Sequence, residues 1–172
     1  DRLARLVEDM LDISRIATGK LAMQLEAVDL GELTLEVVDR LRSQVESVDS
    51  TLEIDIESKL IGNWDRYRIE QVISNLLMNA VRYSPGTPLY VSAKRVGAFA
   101  QLKVRDEGPG IAPENQERIF QRFERAVNAS SLTGLGLGLY ICREILESHR
   151  GTITVESALG QGALFTVNLP LA

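Results

Sequence analysis

Apolar residues recur along this chain at two different spacings, which separate predicted helices from predicted strands. Near the start they are alternately three and four residues apart, as in a helix that packs on a partner, and the pattern ends near Gly19. A helix this short is not stable alone, so it belongs to a helical bundle or lies on the core of its own chain. The apolar positions are Leu3, Leu6, Met10, Ile13 and Ala17.

Two further helices are predicted in the first half of the chain, each preceded by an aspartate suited to cap its N-terminus. One covers residues 30–48 after Asp29, and the other runs from Asp65 to about Tyr83. A fourth helix is expected directly after the glycines near residue 138. This order of helices and strands indicates an α+β fold. The strands, predicted from alternating apolar and polar residues, are 51–57, 89–96, 100–105, 152–157 and 163–169.

The composition is that of a soluble globular protein, and it excludes several classes. With 172 residues, 45% of them hydrophobic, the chain can fill one core. Its net charge of −5 argues against a protein that coats nucleic acid, which needs clustered lysine and arginine. No apolar run approaches a membrane span, so we expect no membrane contact from these residues. The single cysteine, Cys142, cannot form an internal disulfide, which favours the reducing cytoplasm.

Three alternating glycines lie within segment 133–139, directly before a predicted helix. A glycine backbone can take positive φ and come close to an anion, which the N–H groups and dipole of the following helix attract. The segment therefore resembles a phosphate-binding loop. A hinge or tight helix–strand packing also uses glycine, and the segment alone does not distinguish these alternatives.

The helix predicted after Asp65 has an apolar face and a separate polar stripe. Asparagine lowers helix stability by about half a kcal/mol or more relative to alanine, so two asparagines one turn apart need an explanation. Either they are solvent-exposed, or their amide oxygens are ligands for Mg²⁺, which prefers a few protein oxygens together with phosphate and water. The stripe consists of Gln71, Asn75, Asn79, Arg82 and Tyr83, and the apolar face of Ile69, Val72, Ile73, Leu76 and Ala80.

Asp106 continues an inward-facing apolar row at the end of a predicted strand, because it shares parity with Ala100, Leu102 and Val104. A carboxylate there needs a hydrogen-bond donor, since an unpaired buried charge is costly. The glycines that follow it, in segment 106–110, would let a flat ligand come close. An Asx turn that caps the strand is the other interpretation.

A connection runs from residue 107 to residue 133, with a short helical piece expected near Pro113. Connections of this length are usually lids or binding loops. Its apolar residues would anchor it while its arginines close over phosphates, although a surface helix with solvated charges fits the same pattern. The residues concerned are Ile119, Phe120 and Phe123 among Arg118, Arg122 and Arg125.

Four segments in register resemble the motifs of the ATP-binding catalytic domain of sensor histidine kinases, in the superfamily that also contains gyrase, Hsp90 and MutL. Segment 71–83 resembles the N box, 106–110 the first glycine box, 119–123 the F box, and 134–138 the second glycine box. The match covers about residues 29–170. It implies a two-layer α/β sandwich of the Bergerat type, with a mixed, mainly antiparallel sheet, helices on one face and a short N-terminal helix in front.

The resemblance also implies a division of the chain and a set of ligand residues. Residues 1–24 would end the second helix of the dimerisation and phosphoacceptor hairpin, and residues 25–172 would form the ATP-binding domain. Asn79 would hold the Mg²⁺ that bridges the ATP phosphates, with Asn75 alongside, and Asp106 would accept a hydrogen bond from the adenine amino group. The full set implied is Asn75, Asn79, Arg82, Tyr83, Asp106, Gly108, Gly110, Ile111, Arg122, Phe123, Gly134, Leu135, Gly136, Leu137, Gly138 and Leu139.

Position 75 separates two branches of this superfamily. Its hydrolytic members carry a glutamate, the base that activates water, four residues before the magnesium asparagine, where this chain has Asn75. An amide cannot take up that proton, so phosphoryl transfer to a protein side chain is favoured over a hydrolytic ATPase. A noncatalytic dimerisation and docking module with a decayed nucleotide site is the third interpretation, and the retained glycines and asparagines weigh against it.

The accepting histidine of the family lies in a helix upstream of the catalytic domain. The single histidine here, His149, resembles the His-Gly that ends a helix in the family, so we expect it to be structural and expect Mg-ATP binding without autophosphorylation. The implied partners are the phosphoacceptor hairpin of the parent kinase, in which the chain could form a homodimer, and the receiver domain of a response regulator. Any membrane anchor of the parent protein would lie outside these residues.

Overall fold

A five-stranded sheet, covered on one face by helices, forms the body of the protein in a computed structural model that describes residues 2–123 and 136–172. The helices are α1 (Arg2–Ala17), α2 (Leu30–Glu46), α3 (Arg66–Tyr83) and α4 (Gly138–Ser148). The strands are β1 (Leu25–Asp29), β2 (Thr51–Ile56), β3 (Ile61–Asp65), β4 (Pro88–Val96), β5 (Phe99–Asp106), β6 (Thr152–Ser157) and β7 (Ala163–Pro170). Two short 3₁₀ turns, Pro113–Asn115 and Arg118–Phe120, follow β5.

The sheet has the strand order β2-β4-β5-β7-β6, in which β2 and β4 are parallel and every other pair is antiparallel. This confirms the mixed, mainly antiparallel sheet expected from the resemblance. Helices α2, α3 and α4 pack on its apolar face, and the row of β5 that ends at Asp106 is buried there. The parity of that row therefore placed the carboxylate correctly. Within the described residues, no helix combines the length and the apolar character that crossing a membrane requires.

A second sheet of two strands, β1 and β3, was not expected from the sequence. Each strand has five residues, and neither shows the apolar–polar alternation on which strand predictions depend. A single large side chain explains their position, because Trp64 is buried and its Nε1 donates to the carbonyl of Pro170 at 3.2 Å. Gly62 leaves room for the indole ring, since a Cβ at this position would overlap it.

The two predicted N-caps are confirmed, and each aspartate also binds a second segment. The Asp29 carboxylate accepts hydrogen bonds from Gly31 N–H at 2.9 Å and from Lys59 N–H at 2.8 Å. The Asp65 carboxylate accepts from Arg68 N–H at 3.1 Å and from Gln24 N–H at 2.9 Å. Both helices are thereby joined at their first turn to a distant part of the chain.

His149 ends α4 and lies inside the protein with 6% of its surface exposed. Its Nδ1–H donates to the carbonyl of Ile145 at 2.7 Å, and its Nε2 accepts from Asp65 N–H at 2.9 Å. Both ring nitrogens are occupied only when the imidazole is neutral. The structural role expected for His149 is therefore the one that the contacts give it: it joins the end of α4 to the start of α3.

Helix α1 packs against α4 and is joined to α3 by polar groups. Asp12 is 4% exposed, and its two carboxylate oxygens accept from Arg68 Nη1 at 2.8 Å and from Gln71 Nε2 at 2.9 Å. Of the predicted apolar seam, Ile13 packs against the core, whereas Leu3 and Met10 stay exposed. The apolar periodicity located helix α1 correctly, but it did not indicate Asp12 as the side chain that holds the helix in place.

We expect substitution of Asp12 by alanine to release α1 from α3, because the buried Arg68 guanidinium would lose its charged partner. Breaking such a pair costs about 3–5 kcal/mol when the remaining charge stays buried. Undocking of α1 would let Arg68 reach water and limit the global loss. Hydrogen exchange should therefore show lost protection in α1 and at most a small change in β5.

The matched control for this experiment is Glu8→Ala, which removes an equal charge from an exposed position of the same helix. Protection of α1 that survives in the Asp12 variant would contradict the importance of the buried bridge.

We also expect His149 to make the stability of the fold depend on pH. Burial lowers the pKa of His149 below its usual value of about 6.5, so the unfolded chain takes up a proton that the folded chain resists. The contribution of neutral His149 is present above about pH 6.5 and is lost as the pH falls toward its folded pKa.

Urea unfolding between pH 7.5 and pH 5.5 measures this effect, with His149→Gln as the reference. The free energy of unfolding should fall more steeply with decreasing pH in the wild type than in the variant, since the carboxylates are common to both. Parallel curves would show that His149 does not titrate differently in the two states.

Candidate functional site

The polar stripe predicted on α3 is present. Other segments contact it at three levels along the helix axis, which are its N-terminal end, its middle and its C-terminal end. Gln71, Asn75, Asn79, Arg82 and Tyr83 are all partly exposed, while the opposite face of the helix is buried in the core. At 1.5 Å per residue, about 12 Å of helix separates Asn75 from Tyr83. The N-terminal level, at Arg68 and Gln71, is covered by α1. The other two levels carry the candidate site.

The C-terminal level brings the end of α3 against the end of β5. A Cβ on Gly108 would lie 2.3 Å from Ser84 Oγ and 3.0 Å from the carbonyl oxygen of Tyr83. A residue with a side chain would force the two segments apart. Glycine at this position therefore allows Asp106 and the last turn of α3 to lie side by side.

Asp106 is buried, with 8% of the residue exposed, and one of its carboxylate oxygens is occupied. Its Oδ1 accepts from Gly108 N–H at 2.9 Å, which is the Asx turn considered as an alternative interpretation. Within the described residues, nothing donates to its second oxygen. The turn and a ligand-binding role are therefore compatible. The turn fixes the carboxylate through Oδ1, and within the described residues it leaves Oδ2 as an unpaired acceptor in a largely buried position.

Ser84, which the sequence indicates only as part of a turn, also belongs to this level. Its side chain is 2% exposed, and its Oγ has no hydrogen-bond partner within the described residues. A buried hydroxyl without a partner is costly, and here it lies beside Gly108 next to Asp106. A serine directly after the stripe was the only sequence signal, and burial was needed to interpret it.

The middle level joins α3 to the first turn of α4. The Nδ2 of Asn75 lies 3.5 Å from the carbonyl oxygen of Gly138 and 3.7 Å from Cys142 Sγ. Asn79 lies one turn further along the stripe, and its side chain has no partner within the described residues. Within the described part of the chain, the Asn79 amide is thus unpaired, whereas the Asn75 amide contacts α4.

A metal at this site would depend on few protein ligands. In residues 2–123 and 136–172, no group of three or more His, Cys, Asp or Glu side chains could hold a metal ion. An amide oxygen and the oxygens of a bound phosphate suit Mg²⁺, which keeps several waters and takes one or two protein ligands. Within the described residues, the donor set around Asn79 therefore fits Mg²⁺ carried by a phosphate ligand.

The segment after Asp106 is held against the β6–β7 turn. Gly110 has a φ of +75°, and a Cβ there would lie 2.1 Å from the carbonyl oxygen of Ala158. The N–H of Ile111 donates to Ser157 Oγ at 2.8 Å. These contacts give Gly110 and Ile111 a structural role. In a ligand site they would act indirectly, by keeping Asp106 and Gly108 in place.

The expected apolar anchor of the long connection is only partly as predicted. Ile119 and Phe120 are buried, and the ring of Phe120 meets Phe165 edge-on at 6.3 Å between centroids. Phe123 is instead 60% exposed, which corrects its assignment to the anchor. The Arg122 guanidinium lies over the ring of Tyr140 at 5.4 Å. Arg122 is thus placed beside the start of α4, where the glycine segment ends.

The second glycine segment is described from Gly136 onward. Gly136 has a φ of +71°, Leu137 is buried, and α4 starts at Gly138, with Leu139 packed against the core. The predicted site residues Gly134 and Leu135 lie outside the described residues. The positive φ at Gly136 and the helix that begins two residues later are the features that led us to expect a phosphate-binding loop.

Comparison with known proteins gives a consistent result. Over residues 64–172 the chain matches the family described as Histidine kinase-, DNA gyrase B-, and HSP90-like ATPase. It is 33% identical to the sensor protein SrrB of Staphylococcus aureus, over 98% of this chain and 30% of SrrB. It is 35% identical to the sensor-like histidine kinase SenX3 of Mycobacterium bovis, over 99% of this chain and 42% of SenX3. The chain thus spans less than half the length of these two relatives.

Solved structures of histidine kinases share the fold. AdeS of Acinetobacter baumannii superposes with a TM-score of 0.81 at 31% identity, over 98% of this chain and 78% of AdeS. Full-length ShkA in complex with AMPPNP gives 0.88 at 27% identity, over 99% of this chain and 36% of ShkA. The nucleotide-free catalytic domain of ThkA gives 0.76 at 28% identity, over 86% of this chain and 96% of that domain.

The matched segment covers more than half of the chain and includes the stripe on α3, Asp106 and the start of α4. This chain therefore belongs to the histidine kinase-, DNA gyrase B- and HSP90-like ATPase family, and the relatives and structures compared with it are sensor proteins and histidine kinases.

Proposed function

We propose that this chain binds Mg-ATP along the stripe of α3 and supplies the γ-phosphoryl group to a histidine of a two-component sensor kinase. The observation that carries the proposal is that one helix brings two motifs together: Asp106 and Gly108 lie at its C-terminal end, and Gly138 lies against Asn75 nearer its middle. Two separate sequence segments thus contact the same helix.

The adenine would be recognised at the C-terminal level. Asp106 Oδ2 is an acceptor without a partner in the described residues, and a carboxylate prefers a donor such as the exocyclic amino group of adenine. Guanine presents a carbonyl oxygen at the same ring position and would meet like polarity. The half-buried Arg82 and Tyr83, at the same end of α3, remain candidates for ribose or phosphate contacts.

The phosphates would lie toward the start of α4. Backbone N–H groups at the N-terminus of a helix attract anions, and the glycines from 134 to 138 would let phosphate come close. Asn79 would hold Mg²⁺, which supplies charge neutralisation to the phosphates when it is bound. Arg122, beside Tyr140, is near enough to the start of α4 to be a further candidate.

Transfer is favoured over hydrolysis because Asn75 occupies the position of the hydrolytic base. An amide cannot accept the proton of an attacking water, and the N–H group of Asn75 is directed at α4. Phosphoryl transfer needs mainly positioning and charge neutralisation, which the glycine backbone and a metal at Asn79 could provide. Hydrolysis without a partner should therefore be slow.

The acceptor and the partners follow from this proposal. His149 is buried with both nitrogens occupied, so it is not available for phosphorylation, and the accepting histidine would belong to the phosphoacceptor hairpin. In this view residues 1–24 belong to that hairpin and residues 25–172 are the ATP-binding domain. The homodimeric hairpin and a response regulator receiver domain would be the partners, and the domain would work in the cytoplasm.

We expect Asp106→Asn to weaken ATP binding by about tenfold to a hundredfold, the range for loss of a hydrogen bond to a charged group. The asparagine oxygen can still accept from Gly108 N–H, so the turn should be kept. Because an amide can donate to the guanine carbonyl, the preference for ATP over GTP should shrink as well. Calorimetric titration with non-hydrolysable ATP and GTP analogues measures both effects, and unchanged affinities would place the base elsewhere.

We expect Asn79→Ala to remove most of the effect of Mg²⁺ on nucleotide binding, by about tenfold in affinity. The wild type should bind the ATP analogue more tightly with Mg²⁺ than with EDTA, whereas the variant should bind about equally in both. Asn63→Ala, at an exposed position of β3, is the matched control. A variant that keeps the full Mg²⁺ effect would exclude Asn79 as the ligand.

A further inference from the structure

Asn75 is held in place by a side chain that no part of the proposed mechanism uses. Cys142 lies one turn into α4, is fully buried, and has its Sγ 3.7 Å from Asn75 Nδ2. The same Nδ2 is 3.5 Å from the carbonyl oxygen of Gly138. An Asn amide has two N–H donors on this one nitrogen, so both can be directed at α4.

The orientation of the amide follows from these two neighbours. If the Asn75 amide were reversed, its oxygen would face the carbonyl oxygen of Gly138, and two acceptors would repel each other. A Cβ built on Gly138 would lie 3.8–4.0 Å from the amide atoms of Asn75, which is ordinary contact distance. The amide is therefore packed against the first turn of α4 with its nitrogen toward the thiol.

The thiol is a suitable fixed partner because it stays neutral. Burial raises the pKa of Cys142 to about 12, so the group is a thiol and no nucleophile at cellular pH. Its S–H points toward the carbonyl oxygen of Val72, at 4.0 Å, on the turn of α3 that precedes Asn75. Cys142 thus joins two turns of α3 and can accept from the Asn75 amide at the same time.

We propose that Cys142 is a positioning residue that fixes the Asn75 amide for the Mg-nucleotide, an inference that rests on the function proposed above. With its nitrogen held by the Gly138 carbonyl and the Cys142 thiol, the amide is fixed on the stripe one turn before Asn79. A free amide would have to be ordered when the ligand binds, which costs side-chain entropy. Because Cys142 holds the Asn75 amide before the ligand binds, this entropy cost is met during folding and not during binding.

The test compares Cys142→Val with the wild type in calorimetric titrations with a non-hydrolysable ATP analogue, with Mg²⁺ and with EDTA. Valine keeps the apolar packing and removes the acceptor. The affinity with Mg²⁺ should fall about threefold to fivefold, within the range for a modest hydrogen bond, while the affinity in EDTA stays unchanged. A merely structural role would lower the melting temperature and leave the Mg²⁺ effect intact.

A double-mutant cycle shows whether Cys142 acts through Asn75. In an Asn75→Ala background, Cys142→Val should change the affinity less than twofold, since the amide that it positions is gone. Ile141→Val, at a buried neighbour on α4, is the packing control and should not alter the Mg²⁺ effect. Cys142→Ala replaces the valine variant should the latter not fold.

The outcomes separate this inference from the function on which it rests. Equal effects of Cys142→Val in the two backgrounds, or no effect in the wild type, would overturn the positioning role while leaving Mg-ATP binding in place. A wild type that binds no nucleotide would overturn the proposed function and this inference with it.

Discussion

The packing of α3 is the constraint on which the rest of this structure depends. One face of the helix is buried in the core, and the neighbouring face carries a polar, partly exposed stripe over about three turns. Rotation of the helix by one residue would bury amides and expose aliphatic side chains, at a cost of a few kcal/mol for each large residue. The helix is therefore fixed in rotation by hydrophobic burial and fixed along its axis by its ends.

The ends of α3 are joined to the other segments of the candidate site. At the start, the Asp65 carboxylate caps the helix and binds the linker from α1, while the Asp65 N–H donates to His149 at the end of α4. At the other end, Gly108 lets the last turn lie against the strand that carries Asp106. Helix α4 thus starts beside Asn75 and ends beside Asp65, so two antiparallel helices hold each other in register.

Polar groups along the same stripe have two different roles: some hold α1, and others belong to the proposed ligand site. Toward the N-terminus, Arg68 and Gln71 bind Asp12 and hold α1. Toward the C-terminus, Asn79 has no side-chain partner within the described residues, and in the proposed function it binds a ligand. A cleft of about 160 Å³ between α1 and α3 is lined by residues of both helices and reaches Asn75. Asn75 therefore lies at the boundary between the docked helix and the proposed nucleotide site.

The sequence by itself determined the four helices, the five strands of the main sheet and, on α3 and β5, the side that each residue faces. Helical periodicity located the two faces of α3, capping chemistry located Asp29 and Asp65, and strand parity placed Asp106 among buried residues. These properties depend on local backbone geometry, which is regular and repeats every two or 3.6 residues. The motifs of the family could also be recognised in the sequence, because each motif is a contiguous segment.

Only the tertiary structure decided which of these groups meet. Nothing local in the sequence joins Asp12 to Arg68, Asn75 to Cys142, or Ser84 to Gly108, since each pair is brought together by packing over 24 to 67 positions. The small β1–β3 sheet and the exposure of Phe123 were missed for the same reason. Whether a polar side chain holds the fold or stays free for a ligand is a property of its surroundings, and those are assembled from distant segments.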